Sequence, residues 1–311
     1  MKIAPTTVRT RRAPVFAGAA LCLALLAPAM AAPPDLPPLY ETQSGEHHAG
    51  KVIWAELVTP DLQGAERFYA GLFGWTFTEV AGVRAGPGST YAIARLAGRP
   101  IAGLLQRDAP AQGHVQTAWL TFLASSDTDA AARNAVAHGA RVLAEPRSYG
   151  RRGRQAILAD PEGAVFAILS SSNGDAPDLL AEPGEWIWSA LLVHDADAEA
   201  AFYQDLLGYE VYELPSDDGR EHAVLSSDEF ARASVNTMPT DAMHRHPHWL
   251  NFVRVLNAGD AVARALSLGG RVLVEPHADR HGGQVAILAD PQGTPFGVME
   301  WSEAGAAGDA K

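Results

Sequence analysis

Ala156-Ile157-Leu158-Ala159-Asp160-Pro161 returns unchanged 130 residues later as Ala286-Ile287-Leu288-Ala289-Asp290-Pro291. At the same offset Trp119 recurs as Trp249 and Glu145-Pro146 as Glu275-Pro276, while Trp54, Phe68-Tyr69 and Gly74 recur at an offset of 134 as Trp188, Phe202-Tyr203 and Gly208. A four-residue deletion in the second copy reconciles the two offsets. The chain therefore reads as an internal duplication, with one domain over 51–172, a Gly/Asp/Pro-bearing linker over 173–184, a second domain over 185–303 and a tail over 304–311.

Each repeat repeats again inside itself. Lys51 to Val58 has the apolar character of a strand, and Asp61 can cap a helix whose apolar positions Ala65, Phe68, Tyr69, Leu72 and Phe73 follow helical spacing until Gly74 stops it. Three strand-like runs follow, Trp75 to Val80, Tyr91 to Leu96 and Ile101 to Gln106, punctuated by Gly86, Gly88 and Gly98. The order then restarts with a strand from Trp119 to Ala124 and a helix from Asp127 to His138 closed by Gly139. Strands over Arg141 to Ala144, Arg154 to Ala159 and Val165 to Ser170 complete it. A βαβββ unit used twice per repeat makes an α+β protein: helices cover the outer face of a curved sheet and its concave face encloses a cavity.

At 311 residues, 47% hydrophobic and 19% charged, the chain has the composition of an ordinary globular protein of about two domains. Acidic residues outnumber basic ones 36 to 24, for a formal charge of −12. Residues 1–14 are basic, Val15 to Ala27 almost wholly apolar, and Ala29-Met30-Ala31 follows the small-x-small pattern of a signal-peptide cleavage site. The apolar run is short of the roughly 20 residues a membrane span needs, and Pro28 ends it. Residues 1–31 are thus expected to be a signal peptide removed on export to a periplasmic or secreted location, with no membrane anchor left behind. Losing Lys2, Arg9, Arg11 and Arg12 would deepen the charge of −12 to −16. Such a body repels nucleic acid and anionic lipid. Cys22, the only cysteine, lies in the removed segment, so disulfides, thiolate metal sites and cysteine nucleophiles are excluded from the mature chain. Residues 32–50, rich in proline, read as a flexible leader.

Trp54-x-Glu56-Leu57-x-Thr59-x-Asp61, then Phe68-Tyr69-x2-Leu72-Phe73-Gly74-Trp75, Trp119, Gly139 and Ala156 to Phe166 together resemble the vicinal oxygen chelate superfamily of glyoxalases, bleomycin-resistance proteins and dioxygenases. The resemblance covers both repeats, about three-quarters of the chain, and is nearest to the tandem glyoxalase-like branch. It implies two domains, each of two βαβββ modules forming a curved sheet around a cavity. It also implies a divalent ion held in metal-dependent members by residues that fall here on Trp54, Trp119 and Ala167, and in the second repeat on Trp188, Trp249 and Gly297. None of these six side chains is a metal ligand, and Ile101 to Leu105, which covers the fourth-strand position, is apolar throughout. No metal and no cofactor is therefore predicted at the family's position.

Two indoles in place of two ligands give either an aromatic-walled slot for a flat apolar or cationic molecule or a cavity filled by its own side chains. The first repeat is the richer one. Alternation along the strand puts Glu56 on the face of Trp54, where a carboxylate in apolar surroundings has a raised pKa and can act as general base or bind a cation. Thr121 beside Trp119, and Tyr91, can add hydrogen bonds. The predicted ligand-binding set is Trp54, Glu56, Tyr91, Trp119, Thr121, Trp188 and Trp249, with Glu56 the one catalytic candidate. Three readings remain open: a metal-independent small-molecule binder, an enzyme using Glu56 or a metal on the second repeat's histidines (His222, His244, His246, His248, His277, His281), and a non-catalytic interaction protein. Arg147, Arg151, Arg152 and Arg154 around Gly150 and Gly153 read as a positive rim on an acidic body.

Overall fold

A computed structural model describes residues 34–40, 43–81, 83, 89–107, 117–214, 222–239, 246–279 and 282–301. Residues 1–31, the predicted signal peptide with Cys22, and also His244, Arg245 and His281, lie outside the described residues.

The first repeat runs β1 (Val52–Thr59), α1 (Leu62–Phe73), β2 (Thr76–Glu79), β3 (Tyr91–Leu96), β4 (Arg99–Gln106), β5 (Ala118–Ala124), α2 (Thr128–Ala137), β6 (Arg141–Ser148), β7 (Gly153–Ala159) and β8 (Val165–Ser171). The second runs β9 (Trp186–Val193), α3 (Ala196–Leu207), β10 (Glu210–Glu213), β11 (His222–Ser227), β12 (Phe230–Thr237), β13 (His248–Val255), α4 (Ala258–Ser267), β14 (Arg271–Ala278), β15 (Gln284–Ala289) and β16 (Pro295–Glu300). Each repeat forms its own eight-stranded sheet, in the orders β2-β3-β4-β1-β5-β8-β7-β6 and β10-β11-β12-β9-β13-β16-β15-β14. The fold is thus α+β, two tandem domains of two βαβββ modules each. Within a module the first and last strands run parallel, as in β1 with β4, and the two modules of a domain join antiparallel at β1 and β5.

The helices begin where the sequence can satisfy their free N–H groups. Asp61, Asp127, Asp195 and Asn257 each accept from the backbone N–H three residues on, and Gly74 and Gly208 end α1 and α3 in the left-handed conformation with φ of 76° and 74°. One face of every helix is apolar, and all four bury it between the two sheets. They do so crosswise. Phe68 and Tyr69 of α1 share one core with Val262 and Ala265 of α4 and with Phe296 and Val298 of β16. Phe202 and Tyr203 of α3 share another with Ala132 and Ala135 of α2 and with Phe166 of β8. The module that opens one domain is therefore packed against the module that closes the other, and each sheet keeps one face free of helices.

The centre of this interface is marked by equivalent residues of the two repeats meeting each other. Thr121 of β5 donates to Asn251 Oδ1 of β13 at 3.1 Å, and Ser189 donates to the same oxygen at 2.7 Å. On either side the recurrent motif residues form two matching relays. The Trp119 indole N–H donates to the Tyr69 hydroxyl (2.9 Å), which donates to Asp290 (3.2 Å); Trp249 donates to Tyr203 (3.0 Å), which donates to Asp160 (3.1 Å).

The leader is not free. Leu39 is wholly buried and Leu36 is 4% exposed, both on the helix-free face of the first sheet. Leu36 N–H reaches the Tyr149 carbonyl (3.2 Å), the Tyr40 hydroxyl reaches the Ile53 carbonyl (2.8 Å), and Asn173 Nδ2 holds the Tyr40 carbonyl (2.6 Å). Two leucines and a tyrosine bury enough apolar surface to offset the entropy of ordering a proline-stiffened segment, whose unfolded state has less freedom to lose. The linker is tied down in the same way, with Asp178 bridging Lys51 and Arg232.

Candidate functional site

Trp54 and Glu56 lie together on the helix-free face of β1, and Glu56 is 4% exposed. Tyr91 on β3 donates its hydroxyl to Glu56 Oε2 at 2.9 Å. Gly103 of β4 pairs with Glu56, and a Cβ there would come within 2.2 Å of that hydroxyl, so the glycine is what lets Tyr91 reach across the sheet. Burial pushes the Glu56 carboxyl up from its ordinary value, while the charge of Arg152 and the Tyr91 hydrogen bond pull it down.

Arg152 comes from the short helical turn Gly150–Arg152 and is completely buried. Its guanidinium carbon sits 4.8 Å from the centroid of the Trp54 ring, and both Nη atoms lie 3.4 Å from the Tyr91 hydroxyl. Its Nε donates to the Pro37 carbonyl at 2.8 Å. A cation thus stands on the face of Trp54, as the aromatic slot anticipates, and the chain supplies it. The arginines do not form a rim. Arg152 is in the core, Arg154 holds Asp129, and Arg151 holds Asp35.

Three of the predicted ligand contacts are elsewhere. Trp119, Thr121 and Trp249 face the helix layer, where they take part in the interface described above. Directly paired residues of neighbouring strands project to the same side. Because Glu56 pairs with Leu120 and Leu57 with Trp119, it is Leu120 and Phe122 that share the face of Glu56. Across from Trp54 on the free face are therefore Phe122 and, on β8, Ala167. In the second sheet they are Phe252 and Gly297, where the Phe252 ring fills the space a side chain at Gly297 would need. These positions carry no nitrogen, oxygen or sulfur ligand for a divalent ion, and among the described residues no three His, Cys, Asp or Glu side chains gather to hold one. The described histidines of the second repeat are spread out: His248 Nδ1 lies 2.9 Å from the His246 carbonyl, His277 Nδ1 3.0 Å from the Glu275 carbonyl, and His222 Nδ1 2.9 Å from Asn236 Oδ1.

The second sheet's free face is more open than the first. Trp188 is half-buried there beside Leu250, Phe252 and Met299, with Leu192, Ile287 and Trp301 also half-buried. The Trp188 indole N–H donates to Ser234 Oγ (3.1 Å), and Asn236 Nδ2 donates to the same oxygen (3.0 Å). Ser234 and Asn236 carried no local signal as site residues; both are exposed to this face only through the pairing of β12 with β9. Arg152 was equally hidden, since its acceptor lies 115 residues away in the leader.

Residues 47–168 match the glyoxalase/bleomycin resistance protein/dioxygenase superfamily, and residues 188–299 match the glyoxalase-like domain. An anthracycline biosynthesis protein, DauV, of a Streptomyces species is 30% identical over 269 residues, covering 82% of this chain and 94% of its own. The chain belongs to the glyoxalase-like superfamily. A putative glyoxylase, CFP32, of Mycobacterium bovis is 29% identical over 255 residues, 82% of this chain and 96% of that protein. In fold, this glyoxalase-like protein is similar to the Mn(II)-bound glyoxalase from Novosphingobium aromaticivorans, with a TM-score of 0.57, 18% identity, and coverage of 82% and 83% of the two chains. That neighbour is Mn(II)-bound.

Proposed function

We propose that this chain is an exported, metal-independent binding protein for a small planar aromatic molecule, which rests against Trp188 on the helix-free face of the second sheet. The observation that carries the reading is the half-buried indole of Trp188 with its N–H tethered to Ser234. Ser234 Oγ already accepts from both Trp188 and Asn236, which leaves its own proton to donate to an oxygen on the ligand. The described side chains beside Trp188 include aliphatic and aromatic groups, the Ser234 hydroxyl and the Asn236 amide, which support stacking and one or two hydrogen bonds. Two relatives are named for anthracycline biosynthesis, and an anthracycline carries a planar anthraquinone ring system. The Glu56 carboxylate, buried beneath the leader and engaged by Tyr91, is poorly placed to reach a substrate.

The test is a tryptophan-fluorescence titration of chelator-treated protein with a panel of planar aromatics. Saturable quenching that Trp188→Leu abolishes and that added Mn(II) leaves unchanged is the expected result. Quenching that appears only with Mn(II), or that survives Trp188→Leu, removes the reading. Export is checked by N-terminal sequencing of protein from the cell envelope or medium, which should begin at Ala32.

A further inference from the structure

We propose that residues 34–40 are an intramolecular occupant of a second ligand site, on the first sheet, whose ligand class is a small aromatic carboxylate. The site is built from Arg152, Trp54 and Tyr91, and the leader holds it as a ligand would. Leu36 and Leu39 place apolar side chains in the cluster that contains Trp54, Tyr91 and Phe122, where an aromatic ring would lie. The Pro37 carbonyl takes the Arg152 Nε–H, where a carboxylate oxygen would bind.

The fit of the leader is incomplete in a way that a carboxylate would repair. A guanidinium offers two parallel N–H donors along one edge and prefers two oxygens; the leader gives it one. The remaining Nη contacts are both 3.4 Å from a single hydroxyl, longer than a good hydrogen bond. The Trp54 indole N–H, in a residue 3% exposed, has no partner. A buried donor without an acceptor is a standing cost to the fold, which an incoming oxygen next to Arg152 would relieve. Burial already disfavours the charged form of Glu56, so a second carboxylate in the site need not face a full opposing charge. This site is separate from the Trp188 face and stands or falls without it.

The experiment uses benzoate as the probe, in the Trp188→Leu background so that the second sheet contributes nothing, and compares the full chain with a version carrying Leu36→Asp and Leu39→Asp to unseat the leader. Benzoate binding by calorimetry is expected to tighten at least tenfold when the leader is unseated, and to return to the starting value when Arg152→Gln is added; benzamide should show no such gain. Equal affinity in the two backgrounds, or a gain that survives Arg152→Gln, overturns the proposal. Should the unseated chain fail to fold by circular dichroism, hydrogen exchange on the unmodified protein decides. The Leu36 amide, bonded to the Tyr149 carbonyl, and the Arg151 amide, bonded to Asp35, should exchange at least tenfold faster in concentrated benzoate than in sodium chloride of equal ionic strength. Unchanged or slower exchange there overturns it as well.

Discussion

Arg152 shows how far a single residue's meaning depends on partners distant in sequence. Four arginines among glycines read as a solvated rim, and nothing within ten residues of Arg152 says otherwise. Its burial is set by Pro37, by Tyr91 and by the ring of Trp54, which no local pattern connects. Glu56 and Tyr91 were legible, because alternation along a strand is a local property. The buried charge gives a sharp expectation. Arg152→Leu leaves the buried Pro37 carbonyl and Tyr91 hydroxyl without their cationic donor and should destabilise the protein by roughly 1–3 kcal/mol, read by urea melts. Gly103→Ala places a methyl against the Tyr91 hydroxyl and should cost about 1–3 kcal/mol by overpacking, with the Glu56 hydrogen bond displaced.

At the scale of elements, capping residues, helical spacing and the repeat itself placed all four helices and the strand order. What failed was the parity of β5. A strand's alternation says which residues share a face but not which face, and that choice is made by register against β1, where a one-residue slip exchanges the two sides. Trp119 and Trp249 are consequently interface residues, and their recurrence reflects the relays through Tyr69 and Tyr203 to the aspartates of the Asp-Pro motifs. Tyr203→Phe leaves the Trp249 N–H and one Asp160 oxygen short of a partner. A loss of about 1–3 kcal/mol is expected from thermal or denaturant melts, with the Trp188 quenching predicted for planar aromatics unaltered. Altered quenching would place Trp249 in a ligand site after all.

Across the whole molecule the two interfaces of the crosswise packing differ in one chemical respect. Glu199, which takes the place of Ala65 in the first repeat, is 1% exposed and stands close enough to Asp160 for the two carboxyls to feel each other's charge, its Oε2 without a hydrogen-bond partner among the described residues. Glu162 N–H donates to Glu199 Oε1 while its own carboxylate takes the His194 and Asp195 amides and the His194 ring. Burial and then the neighbouring carboxylates push Glu199 up to about 9, and burial pushes Asp160 up to about 6, so the pair keeps a shared proton at neutral pH. Both folded-state values are raised above the unfolded ones. Their contribution is therefore complete below the unfolded values of about 4 and is lost as pH rises through about 6 and then about 9. The melting temperature should fall between pH 6 and pH 9, and Glu199→Gln should flatten that decline; a flat profile in the unmodified protein would contradict the shared proton.

Each hydrophobic core between the sheets is composed half of one repeat and half of the other, while all backbone pairing stays within a repeat. The protein has the anatomy of a two-fold dimer whose subunits have been tethered, and the two halves are expected to recognise each other after the tether is cut. Severing the chain between Leu179 and Leu180, which are 80% and 44% exposed, should yield two pieces that complement each other one-to-one when mixed. Either piece alone, with its helices stripped of their opposite numbers, should be sticky or unfolded in size-exclusion and circular-dichroism measurements.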